Sequence, residues 1–78
     1  MVPKNEECQW LFSIATALHY GHHGNTSAGY KCLLDGLRQA ERARDAGNEW
    51  GEELARRYKK SLAIYAERFG ITLSSHLV

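Results

Sequence analysis

Residues 28–69 read AGYKCLLDGLRQAERARDAGNEWGEELARRYKKSLAIYAERF, and their pattern decides the fold. Ala, Leu, Glu, Arg and Lys dominate, and all are good helix formers. Before Gly47 the apolar positions are Tyr30, Leu33, Leu34 and Leu37, followed only by Ala40 and Ala43. After Asn48 an apolar stripe runs Leu54, Tyr58, Leu62, Tyr65 and Phe69, spaced 4, 4, 3 and 4, with Ala55 and Ala66 beside it. That spacing makes a coiled-coil-like seam along one helix face. Gly47 suits the end of one helix and Asn48 the cap of the next. A link of about two residues forces an antiparallel pair. The sequence therefore predicts helices over about 28–46 and 49–69. Glu49, Glu52 and Glu53 complement the positive end of the later helix. Glu52 with Arg56 and Glu53 with Arg57 are i,i+4 pairs in the favourable order.

Upstream, the chain predicts a first helix over about 6–20, with Asn5 as N-cap and Gly21 as the residue that ends it. Cys8, Trp10, Leu11, Phe12, Ile14, Ala15, Ala17 and Leu18 make it apolar around most of its circumference. Gln9, Ser13, Thr16 and Tyr20 form its one modestly polar stripe, and a helix this apolar is expected to be central or covered by a partner. Thr26 or Ser27 is the expected N-cap of the second helix. The fold class is all-α: a three-helix bundle built on the long antiparallel hairpin of helices 2 and 3, one domain over 1–78. In the tail, 71–78, Ile71 and Leu73 are expected to dock back on the bundle.

Counting outward from the turns sets the layers. Tyr58 falls opposite Leu37, Leu62 opposite Leu33, and Tyr65 opposite Tyr30. Leu11 falls near Leu37, Ile14 near Leu33, and Leu18 near Gly29. Cys8 and Cys32 then lie ~10 Å apart along the bundle, too far for a disulfide. The first helix is also too short to cover residues 43–53, which leaves Trp50 on a projecting tip.

The chain has 78 residues, 10 Lys plus Arg, 9 Asp plus Glu and a net charge of +1. A chain this small buries only roughly 60% of its unfolded surface, so disulfides, metals or oligomers usually support it. Two cysteines without a CxxC pair give no zinc-ribbon, thioredoxin-like or haem signature, and a reduced, cytoplasmic setting follows. No apolar run approaches the ~18 residues of a membrane helix. The near-neutral charge disfavours nucleic acid as the main partner.

Four features could carry chemistry. His19, His22 and His23 are close in sequence and of metal-ligating type, but Gly21 is expected to break the helix between them, and no carboxylate lies near to orient a catalytic imidazole. Residues 24–31 space two glycines as in a P-loop. Yet Lys31 falls one place late, Cys32 stands where Ser or Thr would bind Mg²⁺, and no strand precedes. Arg56, Arg57, Lys59 and Lys60 spread over more than half a helix circumference and read as a solvated face. Trp10, Phe12, Trp50 and Leu54 are the candidates for contact with a partner, because aromatics anchor interfaces.

The functional expectation is a non-enzymatic interaction or adaptor module, homo-oligomeric with a dimer as first choice, without catalytic residues or cofactor. The alternatives are a metal- or small-ligand-binding protein using His19, His22 and His23, and a weak nucleic-acid binder using Arg56 to Lys60.

Overall fold

A computed structural model describes residues 1–71 as three helices: α1 (Lys4–His22), α2 (Thr26–Asp45) and α3 (Glu49–Phe69). The all-α three-helix architecture is as the sequence predicts, and no strand occurs among the described residues. Leu73 lies outside them. Ile71 packs against the core, and its N–H donates to the Ala66 carbonyl at 2.8 Å.

The α2–α3 hairpin is held by tyrosines seated on glycines. A Cβ at Gly36 would overlap the edge of the Tyr58 ring at Cε1, and a Cβ at Gly29 would overlap the Tyr65 hydroxyl. Each ring occupies the space a side chain on α2 would need. Gly29 and Gly36 are seven residues apart, as are Tyr58 and Tyr65, so the two seats repeat every two turns. Their antiparallel order agrees with the counted layers to within about one residue. The Tyr65 hydroxyl also donates to the Thr26 carbonyl at 2.8 Å, tying α3 to the first turn of α2. At the other end Gly51 sits directly on the α2 backbone at Arg44.

Gly29 is also where α1 comes in. A Cβ there would stand 2.6 Å from the Ala17 carbonyl oxygen. Ala17 is fully buried, and Leu33, one turn further along α2, is 1% exposed. Leu37, Leu54, Leu62 and Tyr65 complete a core whose polar side-chain atoms are tyrosine hydroxyls, and no charged residue is buried among the described residues. α2 packs along both neighbours, while α1 and α3 touch each other far less.

Four local expectations are corrected. Gly21 does not end α1 but lies inside it, buried because the Phe69 ring fills the place of its absent side chain. The left-handed turn residue is Gly24, with φ +82°; Gly47 and Gly70 do the same work at the ends of α2 and α3. α1 begins at Lys4 after Pro3, not at Glu6 after Asn5. Asn25 precedes α2 and Asn48 precedes α3, and no cap residue makes a side-chain cap bond. Arg56 pairs with Glu53 and not with Glu52, because Glu53 sits within reach of Arg56 and Arg57 together.

The seats have a measurable consequence. At an open helical site Gly→Ala gains up to about 1 kcal/mol. At Gly36 the sign reverses: Gly36→Ala is expected to cost about 1–3 kcal/mol through overpacking. Urea unfolding should show the cost shrinking in a Tyr58→Leu background. An equal cost in both backgrounds would mean that the ring does not sit on the glycine.

Burial pushes the Tyr58 and Tyr65 phenols above their ordinary range, with Ser13 pulling Tyr58 partly back. The unfolded chain ionises both near pH ~10, so the folded state holds its protons longer. Their contribution is full below pH ~10 and is lost as pH rises through the folded values. Burial raises the Tyr30 phenol as well, so chemical unfolding across that alkaline range should show the loss, and Tyr58→Phe with Tyr65→Phe should reduce it while Tyr30 keeps its share.

Candidate functional site

α1 has two unlike faces. Successive residues turn by about 100°, which sets Trp10, Ser13, Ile14, Ala17 and Gly21 on one side and Cys8, Leu11, Phe12 and Ala15 on the other. The first set packs on the hairpin. The second faces solvent, with Phe12 72% and Leu11 52% exposed. Ile14 packs inward as the counted layers predict, but Ser13 and Thr16 of the polar stripe are half-buried, and Leu11, counted into the Leu37 layer, is exposed. The reason is space. Tyr58 and Tyr65 fill the middle of the bundle, so only small residues of α1 fit against α2. Ser13 tolerates the position because its hydroxyl donates to the Gln9 carbonyl at 2.9 Å, the usual i−4 solution for a helical serine. It also lies 3.5 Å from the Tyr58 hydroxyl.

Trp10 fixes α1 to α3. Its indole N–H donates to Ser61 Oγ at 3.1 Å, and Ser61 in turn donates to the Arg57 carbonyl at 2.8 Å. The Arg57 guanidinium lies 5.2 Å from the centre of the Trp10 ring, within cation–π range. It also contacts Glu7 at 3.2 Å and Glu53 at 3.4 Å. The Glu7 bond is the larger influence that holds Arg57 protonated, ahead of Glu53.

The sequence-predicted contact residues therefore separate. Phe12 is open, Trp10 is half-buried and engaged within the molecule, and Trp50 is half-buried against the core. Leu54 is 3% exposed and belongs to the core itself. The tip is less bare than counted, because α1 starts two residues earlier and Val2 joins the same core. Two exposed residues escaped the sequence reading: Leu11, and Ile64 on α3, which is 57% exposed. The spacing Trp10, Ser13, Ala17, Gly21 was the available signal for α1, since a run of small residues marks a close helix contact.

The histidines do not converge. His22 lies edge-on to Phe69 with ring centres 5.5 Å apart, whereas His19 and His23 face each other at 4.4 Å. Among the described residues no group of three or more His, Cys, Asp or Glu could hold a metal ion. The basic run divides too: Arg57 points to α1 and Arg56 to Glu53, while Lys59 and Lys60 are exposed. No helix among the described residues is long and apolar enough to cross a membrane.

The two cysteines are free and unlike. Cys8 is exposed on the outer face of α1. Cys32 donates to the Ser13 carbonyl with a 3.9 Å separation, and burial, then Asp35, pushes its thiol above the ordinary range. Reactivity follows the thiolate fraction and access. A disulfide-exchange reagent at mildly alkaline pH should modify Cys8 at least tenfold faster than Cys32, and Cys8→Ser should remove the fast phase alone.

The chain matches no protein-family model, and no curated protein or solved structure matches it.

Proposed function

We propose that this chain is a non-enzymatic protein-interaction module that works as a homo-oligomer, a dimer in its simplest form, through the outer face of α1. The observation that carries the reading is the stripe of Cys8, Leu11, Phe12 and Ala15, apolar along its length and turned away from the core. An exposed Phe beside an exposed Leu on a well-packed helix is an uncommon expense for a chain this small, and such patches mark contact sites. The four stripe positions carry no charge. A neutral stripe has no electrostatic preference for an acidic or a basic partner, and it is complementary to itself. In an isologous pairing the same patch serves both copies, with Leu11 and Phe12 near the two-fold axis and Cys8 of one copy beside Ala15 of the other.

One helix face offers less than the ~800 Å² per partner of a standard stable interface. The association is therefore expected to be reversible and concentration-dependent. Phe12 is its aromatic anchor, as interface energetics favour. Trp10 supports the face from behind by fixing the rotation of α1. The free cysteines suit a reducing, cytoplasmic setting.

The test is sedimentation velocity over a concentration series from micromolar to millimolar. The wild-type chain should move from monomer to dimer across the series. Phe12→Glu should stay monomeric throughout, with an unchanged circular-dichroism spectrum and thermal midpoint because the side chain is 72% exposed. A wild-type chain that is monomeric at every concentration, or a Phe12→Glu variant that still dimerises, contradicts the reading.

A further inference from the structure

The sparse contact between α1 and α3 leaves a groove along their common edge. It consists of two adjoining depressions that share Ile14, Ser61 and Ile64. The upper one, about 180 Å³, is floored by Ile14, Leu18, Leu33 and Tyr65. A cavity of ~150 Å³ accepts a benzene ring, so this depression has room for one large apolar side chain. The lower one, about 460 Å³, runs on past Trp10 toward Glu53. Unlike the outer stripe of α1, the groove has a charged rim, and the rim is supplied by α3: Arg56, Arg57, Lys60 and Arg68. The one carboxylate lining it, Glu53, is taken up by Arg56 and Arg57. Lys60 and Arg68 make no ion pair among the described residues.

We propose that this groove docks an acidic amphipathic helix from another protein. Such a helix lays its apolar stripe into a hydrophobic groove and presents anchors at i, i+3 or i+4, and i+7. Here one anchor enters the depression between Ile14 and Ile64. Lys60 and Arg68 are eight residues apart, about 12 Å along α3. They meet carboxylates two turns apart on an occupant lying along α3. Charge complementarity selects the partner: an acidic helix pairs with this rim, and a basic one, or a second copy presenting the same cations, is repelled. The site adjoins the self-association face at Leu18, two turns from Leu11, but includes neither Leu11 nor Phe12.

The probe is a pair of synthetic helical peptides with the same apolar stripe. One carries glutamates two turns apart beside the stripe, and the other carries lysines in their place. Each is titrated into the isotope-labelled full chain and followed by amide nuclear magnetic resonance. The acidic peptide should shift Ile14, Ser61, Ile64 and Arg68, bind at least tenfold more tightly than the basic one, and weaken with added salt. Lys60→Glu combined with Arg68→Glu, both at exposed positions, should reverse the preference. Equal binding of the two peptides overturns the proposal. So do shifts confined to Leu11 and Phe12, and so does movement of the groove resonances with protein concentration alone, which would place a second copy there. Because Phe12→Glu leaves the groove intact, the acidic peptide should bind that variant unchanged. Loss of binding there would assign the peptide to the self-association face and overturn the groove.

Discussion

The close seating of Tyr58 on Gly36 and of Tyr65 on Gly29 is the constraint from which the rest of the bundle follows. A glycine inside a helix costs about 1 kcal/mol relative to alanine. The cost is offset where the missing side chain admits an aromatic ring, with the large burial that a ring brings. Two such seats at a seven-residue repeat fix the register of the hairpin, because sliding by one residue would drive both rings into side chains of α2 at once. They also fix its depth. With the tyrosines filling the centre, α1 approaches over Gly29 and Ala17, where backbone nearly meets backbone, and only Ser13, Ala17 and Gly21 are small enough for that side.

The large apolar residues of α1 are then distributed by what space remains. Trp10 and Ile14 turn toward α3, where Ser61 and Arg57 receive the indole. Leu11 and Phe12 have no room inside and stay at the surface. The outward stripe and the groove are thus two results of one packing decision, and they differ in electrostatics. The stripe is neutral and suits its own copy. The groove is framed by cations from α3 and suits an acidic helix. If both faces make the contacts proposed for them, the chain serves as a connector.

The hairpin was legible in the sequence because its signals are strong and local. The 4, 4, 3, 4 spacing from Leu54 to Phe69 and the Gly47-Asn48 break leave one arrangement, and the counted layers agree with it to within about one residue. The orientation of α1 was not legible from polarity alone. Ser13 and Thr16 look solvent-facing, but a helical hydroxyl can satisfy itself on the carbonyl four residues back, as Ser13 does. Size, not polarity, decides that face. Gly21 reads as a stop signal because glycine favours helix ends, whereas here it is needed for Phe69. Leu54 reads as a candidate contact only while the tip is thought bare. Ile64 is separated from Leu62 and Tyr65 by the pattern itself, and its exposure follows from α1 standing away from α3.

The most direct test of the central claim is a nuclear Overhauser spectrum of the unmodified protein at the glycine Hα resonances. The seats predict strong cross-peaks from the Gly36 Hα protons to the Tyr58 ring and from the Gly29 Hα protons to the Tyr65 ring, with the glycine signals displaced by the ring currents. Glycine Hα signals at unperturbed positions, without cross-peaks to either ring, would contradict the hairpin depth, and with it the assignment of the two faces of α1.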